Sequence, residues 1–476
     1  MNLPSRKTHN IQFGTDGWRA VIADQFTFEN VRIVSQAICD WLRQETLART
    51  PDPRQVAVGY DTRFLSDQFA RIVSCVLAQN GWKVFLSPTP IPTPALSYGV
   101  TRVGGAAGIM ITASHNPAPF NGIKIKTAQG GGASVEITQK IENCLLKSKV
   151  QSMDFNEALK KKRILYHDFR NDHVLFIRRY LDLTKIRKAR FRVLTDIMHG
   201  SGGRQMADIL KGTCVHLQLM REDINPCFEG GKPEPVIAYL QGIITRMKKE
   251  KFDLGLVLDG DADRIAAIAS GGEFIHPQKI LGLLILHLVR HRGRRGGVVK
   301  TICGTTLIDK IAEKLKLRLF ETPVGFKHIS DLMVTENIIA GGEEAGGMGF
   351  QDFIPERDGI LAGLLLLETM VYQKKNIKQI VWEMEREFGR YYYLRLDIRA
   401  DPHAIDLKRF RTTRSLLGKK VIQVKDFDGI KCICEDESWL MLRPSGTEPL
   451  IRAYAEARTL MRAKDMLQLG QSLVRA

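Results

Sequence analysis

The sequence predicts an α/β protein: three related α/β domains with mixed, mainly parallel sheets, followed by a C-terminal α+β domain. Three observations carry this prediction. A unit of strand, polar loop, helix and strand recurs three times, starting at Val56, Arg192 and Val298, and such units favour parallel pairing through right-handed crossovers. From about Tyr391 the pattern changes to short strands separated by loops and closed by one helix, which fits a mainly antiparallel sheet. The length of 476 residues is too great for one core and fits roughly three or four domains. The changes of pattern place boundaries at 1–165, 166–272, 273–388 and 389–476.

Taken in order, Phe13-Gly-Thr-Asp-Gly-Trp-Arg-Ala20 forms a tight polar loop with Arg19 as a cation beside it. The first unit runs from strand Val56–Tyr60 through the loop Asp61–Ser66. A helix follows with Phe69, Ile72, Val73, Val76 and Leu77 on one face, then strand Lys83–Leu86. Ile109-Met-Ile111 reads as a buried strand running into a loop closed by Pro117, and Asn121-Gly122 read as further turn formers. The charged, weakly periodic stretch 147–170 reads as a linker or exposed helix. The second unit holds strand Arg192–Thr195, a glycine-rich loop from Asp196, a helix near Met206–Leu210 and strand Val215–Leu219. Leu254–Leu258 is an apolar strand and Ile280–Val289 an apolar helix. The third unit turns through Cys303-Gly-Thr-Thr306 into a helix bearing Leu307, Ile308, Ile311 and Leu315, and ends in Leu317–Phe320. In the last domain, Tyr391–Ile398, Lys420–Val424, Ile430–Cys434 and Trp439–Leu442 read as strands, and Ala463–Val474 as a helix.

Hydrophobic residues at 44% and charged residues at 26% describe a soluble globular protein. No apolar run reaches membrane-spanning length, and the polar start Met1-Asn-Leu-Pro-Ser-Arg-Lys7 lacks the apolar core of a signal peptide. The eight cysteines are scattered and fit free thiols in a reducing cytoplasm. A formal charge of +18 raises the question of nucleic acid, with Arg290–Gly297 as the place to look. That run has no interleaved aromatics and no recognisable module, so nucleic acid is disfavoured. A small anionic substrate uses the same surplus.

Four stretches carry chemistry. Ser114, on a stiff loop after a buried strand, is either a turn or helix cap or a group presented to a ligand. Asp259-Gly-Asp-Ala-Asp-Arg264 leaves the end of a strand with three carboxylates at alternate positions, whose repulsion demands a cation. Hard oxygen ligands point to Mg²⁺. A calcium EF-hand is excluded, because Arg264 and Ser270 stand where glycine and glutamate are needed. Ala340-Gly-Gly-Glu-Glu-Ala-Gly-Gly-Met-Gly349 is either a flexible hinge or a loop whose carboxylates accept bonds from sugar hydroxyls. Arg443-Pro-Ser-Gly-Thr-Glu-Pro449 is either a proline-bounded turn or a phosphate-binding loop.

Together these stretches resemble the α-D-phosphohexomutase family, the phosphoglucomutase and phosphomannomutase enzymes, from Phe13 to the C-terminus. The resemblance implies four domains in a heart-shaped arrangement around a central cleft. It implies a phosphoserine at Ser114, and Mg²⁺ held by Asp259, Asp261, Asp263 and a phosphoserine oxygen. Lys124 matches a proton-transfer lysine, and His115, Arg19 and Arg264 match residues around the reacting phosphoryl group. Lys327, in Val324-Gly-Phe-Lys, matches the substrate loop of the third domain, and Glu343 the sugar-hydroxyl acceptor. Arg443, Ser445, Gly446 and Thr447 match the binder of the non-reacting phosphate. The implied activity interconverts hexose 1- and 6-phosphates through a hexose 1,6-bisphosphate that also serves as activator. Glucose is the expected sugar, and mannose or glucosamine the alternatives. A sugar-bisphosphate synthase and a non-catalytic sugar-phosphate sensor are the rival functions. Partners are expected to be small sugar phosphates, with no membrane, for a cytoplasmic monomer or homodimer. One position departs from the family pattern: Ala345 stands where Glu-x-Ser is usual, so the sugar loop lacks a hydroxyl.

Overall fold

A computed structural model describes residues 11–14, 17–46, 54–400, 407–444 and 450–475. Its contacts divide the chain into two compact units, residues 1–275 with 346–372, and residues 276–345 with 373–476.

The first unit contains two mixed sheets. One consists of β1 (Gly17–Val21), β2 (Gln55–Tyr60), β3 (Lys83–Leu86), β4 (Ala107–Ile111), β5 (Phe120–Thr127) and β6 (Ile164–Tyr166), ordered β1-β5-β4-β2-β3-β6. Strands β4, β2, β3 and β6 run parallel, while β5 is antiparallel to both β4 and β1. The expected helix spans Ser66–Gln79 and buries Phe69, Val73, Val76 and Leu77. The second sheet consists of β7 (Arg192–Asp196), β8 (His216–Met220), β9 (Leu254–Leu258), β10 (Ile265–Ala269) and β11 (Glu273–Ile275), ordered β11-β10-β9-β7-β8. The helix Gly359–Gln373 is apolar on nearly every side and buried over its first twelve residues, as an all-round apolar helix must be in water.

The second unit holds β12 (Gly297–Thr301) parallel to both β13 (Leu319–Thr322) and β14 (Ile338–Gly342). The short β15 (Met348–Phe350) belongs to the first unit's returning segment. The C-terminal sheet consists of β16 (Tyr392–Arg399), β17 (Ser415–Leu416), β18 (Lys419–Lys425), β19 (Ile430–Cys434), β20 (Trp439–Pro444) and β21 (Leu450–Ala457). It is antiparallel, ordered β16-β21-β20-β19-β18-β17. One face of this sheet packs Trp439, Met441 and Tyr454 against Ile302 and Cys303 of the third-domain loop.

Three local expectations are corrected, the first being that Gly17–Ala20, expected in a tight polar loop, lie in β1 and pair with β5. The stretch 147–170 is not merely a linker or exposed helix: after the helix Phe155–Lys160 it contains β6, which pairs Ile164 with Val84. A three-residue strand among charges is too short for periodicity to reveal. Asn121-Gly122 do not turn the chain but lie inside β5. A Cβ at Gly122 would come within 2.7 Å of the Thr112 and Trp18 carbonyl oxygens, so the glycine serves close packing in a strand. All eight cysteines are free thiols. No described helix is long and apolar enough to cross a membrane.

Candidate active site

Ser114 follows β4 with a left-handed backbone, φ +53°, a conformation that surrounding contacts must hold. Arg63 supplies most of them. Its Nη2 donates to the carbonyls of Ser114 (2.6 Å) and Asn116 (2.5 Å), and its Nη1 to those of Pro117 (2.9 Å) and Phe120 (3.0 Å). Asp61 anchors the other side: its carboxylate accepts from Ser66 Oγ (2.9 Å) and from Thr112 Oγ1 (2.5 Å), and Thr112 Oγ1 in turn accepts the Ser114 amide at 2.9 Å. Strands β2 and β4 are neighbours, with Tyr60 beside Ile111, so the loops that follow them emerge side by side.

The β1–β5 ladder brings in two cations. Arg19 pairs with Gly122 and Gly17 with Lys124, and a Cβ at Gly122 would press on Arg19 Cγ at 2.9 Å. Arg19 Nη1 donates to Asn116 Oδ1 at 2.9 Å. The β9–β10 hairpin loop brings the aspartates. A Cβ at Gly260 would lie 2.6 Å from the Ser114 carbonyl, so glycine is what lets the two loops meet. Ser114 Oγ donates to Asp259 Oδ2 at 3.0 Å. Lys124 Nζ bridges Asp261 Oδ2 (2.7 Å) and Asp263 Oδ2 (2.9 Å). Arg264 Nη1 lies 2.8 Å from His115 Nδ1. Arginine only donates, so Nδ1 accepts and the imidazole proton sits on Nε2. Burial, then Arg264 and Arg19, push His115 well below its ordinary pKa and keep it neutral.

Ligand oxygens of Asp259, Asp261 and Asp263 lie within 4.8 Å of one another, all buried. Burial and repulsion from Asp263 and Asp261 push Asp259 well above the usual carboxylate range. Burial works to raise Asp263 too, but Arg357, Lys124 and Arg264 outweigh it and hold that group well below the range. Asp261 Oδ1 and Asp263 Oδ1 are buried with no hydrogen-bond partner among the described residues. Buried oxygens without donors ask for a cation, and three carboxylates suit a hard divalent one, so this set fits Mg²⁺.

The structure thus gathers Ser114, His115, Lys124, Arg19, Arg264 and the three aspartates in the first unit. Lys327, Glu343 and Arg443 belong to the second unit. There Lys327 lies in the first turn of the helix Phe326–Thr335, and Glu343 follows β14 and is 8% exposed. Its neighbour Glu344 accepts a bond from Cys303 Sγ at 3.1 Å. Arg443 Nε donates to Asp428 Oδ1 at 2.8 Å. Ser445, Gly446 and Thr447 lie outside the described residues.

Sequence reasoning missed Asp61, Arg63, Thr93 and Arg357. Thr93 Oγ1 donates to Asp261 Oδ2 at 2.5 Å, and Arg357 Nη2 meets Asp263 Oδ2 at 2.8 Å. Asp61-Thr-Arg63 carried a signal, a polar loop directly after a strand; Arg357, in Pro355-Glu-Arg-Asp358, carried none beyond its charge.

Comparison with known proteins finds matches in all four parts of the chain. Residues 10–152, 171–272 and 276–388 match phosphoglucomutase/phosphomannomutase alpha/beta/alpha domains I, II and III, and residues 407–468 match the C-terminal domain of the same proteins. The chain belongs to the α-D-phosphohexomutase family. Phosphohexomutases are isomerases, and this one is similar to relatives with different sugars in their names. A phosphoglucomutase/phosphomannomutase of Thermococcus kodakarensis is 29% identical over 97% of this chain and 98% of the relative. A phosphoglucosamine/phosphogalactosamine mutase of Sulfurisphaera tokodaii is 28% identical over 94% of this chain and 95% of the relative. A crystal structure from Thermus thermophilus, named as a candidate phosphomannomutase, superposes with a TM-score of 0.87 at 33% identity, covering 98% of this chain and 99% of that one.

Proposed function

We propose that this phosphohexomutase interconverts hexose 1-phosphates and hexose 6-phosphates, with glucose preferred and Ser114 as the phosphoryl carrier. The observation that carries the reading is the Ser114 hydroxyl, 3.0 Å from Asp259 on a loop clamped by Arg63. A phosphoserine there brings about −1.5 to −2 charges next to the aspartates at neutral pH. Asp259, Asp261 and Asp263, with a phosphoserine oxygen, would hold Mg²⁺, which when bound would supply positive charge to the transferring phosphoryl group.

The chain's own residues do the positioning. The bond from phosphorus to Ser114 Oγ breaks as a sugar hydroxyl oxygen bonds to phosphorus. Lys124 handles the proton that leaves the hydroxyl and the one that Ser114 Oγ takes up. Arg19, Arg264 and neutral His115 face the phosphoryl oxygens. The product is hexose 1,6-bisphosphate, which turns over and returns its other phosphate to Ser114. Glu343 accepts bonds from sugar hydroxyls, and Lys327 contributes from the substrate loop. Arg443, with Ser445, Gly446 and Thr447, holds the phosphate that is not reacting, an arrangement that serves either end of the sugar.

Mannose and glucosamine phosphates are second readings. The names of the relatives span both, and Ala345 removes a hydroxyl that would contact the sugar, worth about 0.5–1.5 kcal/mol. Steady-state kinetics on glucose, mannose and glucosamine 1-phosphates rank the sugars. Ser114→Ala tests the carrier: turnover should fall by several orders of magnitude while sugar phosphate still binds. Near-normal turnover by that variant would overturn the assignment. Turnover that needs a separate phosphoryl donor, and not catalytic hexose 1,6-bisphosphate, would favour the synthase.

A further inference from the structure

Asp428 sits in the hairpin loop between β18 and β19, and its two carboxylate oxygens serve two different candidate substrate loops. Oδ1 accepts from Arg443 Nε at 2.8 Å. Oδ2 accepts the backbone amide of Val324 at 2.7 Å, the residue that opens Val324-Gly-Phe-Lys327. Gly429 makes this approach possible: its φ is +83°, and a Cβ there would stand 2.7 Å from the Leu442 carbonyl and 3.0 Å from Arg443 Cα. Lys431 and Glu456 fasten the same sheet elsewhere. Lys431 Nζ donates to the Ile302 carbonyl at 2.8 Å, and Glu456 Oε1 accepts the Thr306 amide at 2.8 Å. The C-terminal sheet and the third-domain loops are therefore joined at several points within one unit, and Asp428 is the joint that touches both candidate substrate loops.

We infer that Asp428 is a positioning residue that holds the phosphate clamp Arg443 and the Val324–Lys327 loop in register with each other. A carboxylate on Nε fixes the guanidinium plane and turns its two Nη groups toward a dianion, the fork geometry that phosphate recognition needs. The same carboxylate fixes the amide at the head of the loop carrying Lys327, so one residue sets the spacing between two cations that receive one sugar phosphate. This rests on reading Arg443 as the phosphate binder.

The test compares the native full-length enzyme with Arg443→Ala, Asp428→Ala and the double variant, with Mg²⁺ and glucose 1-phosphate. Arg443→Ala should raise KM by about ten- to a hundredfold. Asp428→Ala should raise KM by about three- to tenfold while kcat changes less, the mark of lost ground-state binding. In the Arg443→Ala background, adding Asp428→Ala should raise KM by clearly less than it does in the native enzyme, because coupled residues are not additive. Asp428→Asn, which keeps one acceptor oxygen, should fall between native and Ala, and it replaces Ala in the cycle if Asp428→Ala does not fold. An additive cycle, or an unchanged KM in both Asp428 variants beside a raised one in Arg443→Ala, overturns the inference alone. An unchanged KM in Arg443→Ala removes the phosphate reading, and the inference with it.

Discussion

At the scale of single residues, Arg63 holds the loop that carries Ser114. A non-glycine residue at φ +53° stores strain on the order of 1–3 kcal/mol, and four carbonyl contacts from one guanidinium offset it. Arg63 is 3% exposed and lies over the Phe228 ring at 4.9 Å, so no water replaces it easily. Arg63→Ala should let the loop relax and lower kcat on the order of a hundredfold, the usual cost of a misplacement of about 1 Å, with little change in KM. Arg63→Lys should lose nearly as much, since a compact ammonium cannot reproduce the planar fork. Steady-state kinetics beside a melting curve check this, and an intact kcat in both variants would refute the role. The sequence showed the polar loop that carries Arg63 but not its role, for a physical reason. Its carbonyl partners lie more than fifty residues away, and only the pairing of β2 with β4 brings them within reach.

At the scale of elements, the β9–β10 hairpin loop is where sequence and site coincide most closely. All three aspartates fall within five consecutive residues, and like charges so close repel, so that a fold burying them favours a cation among them. That made the loop legible from sequence alone. Exhaustive EDTA treatment should abolish turnover and added Mg²⁺ should restore it; full activity in the chelated enzyme would count decisively against the site. The repeated strand–loop–helix units were legible for a similar reason, because each carries its own periodicity. What escaped was whatever depended on neighbours. β6 is a three-residue edge strand recruited by β3. Gly122 looks like a turn former until the closely packed backbones around β5 are seen. Thr93 and Arg357 reach Asp261 and Asp263 from segments about ninety or more residues away in the chain.

At the scale of the molecule, the second unit carries a buried charge whose cost can be measured. Lys431 lies on β19 under the third-domain loop, fully enclosed, with Nζ 2.8 Å from the Ile302 carbonyl, 3.4 Å from the Gly304 carbonyl and 3.8 Å from the Trp439 ring centroid. Burial above all, with Lys300 and Lys425 beside it, lowers its pKa from 10.5 to about 7, while Glu321 and Glu456 pull the other way. The folded-state pKa is thus depressed below the unfolded one. Below about pH 7 both states are protonated, and the fold bears the full cost of the buried ammonium, on the order of a few kcal/mol. Between about pH 7 and 10.5 the unfolded chain binds the extra proton, so Lys431 contributes a stability that rises with pH. Above 10.5 both states are neutral and the cost is gone. Lys431→Met keeps the volume and drops the charge. Melting temperatures of the native and variant proteins from about pH 6 to 10.5 isolate this one group, because other titrations are common to both. Relative to the variant, the native protein should gain stability across that window. A difference that stays constant with pH would show that Lys431 is charged in the fold throughout, held by its carbonyls and by Trp439.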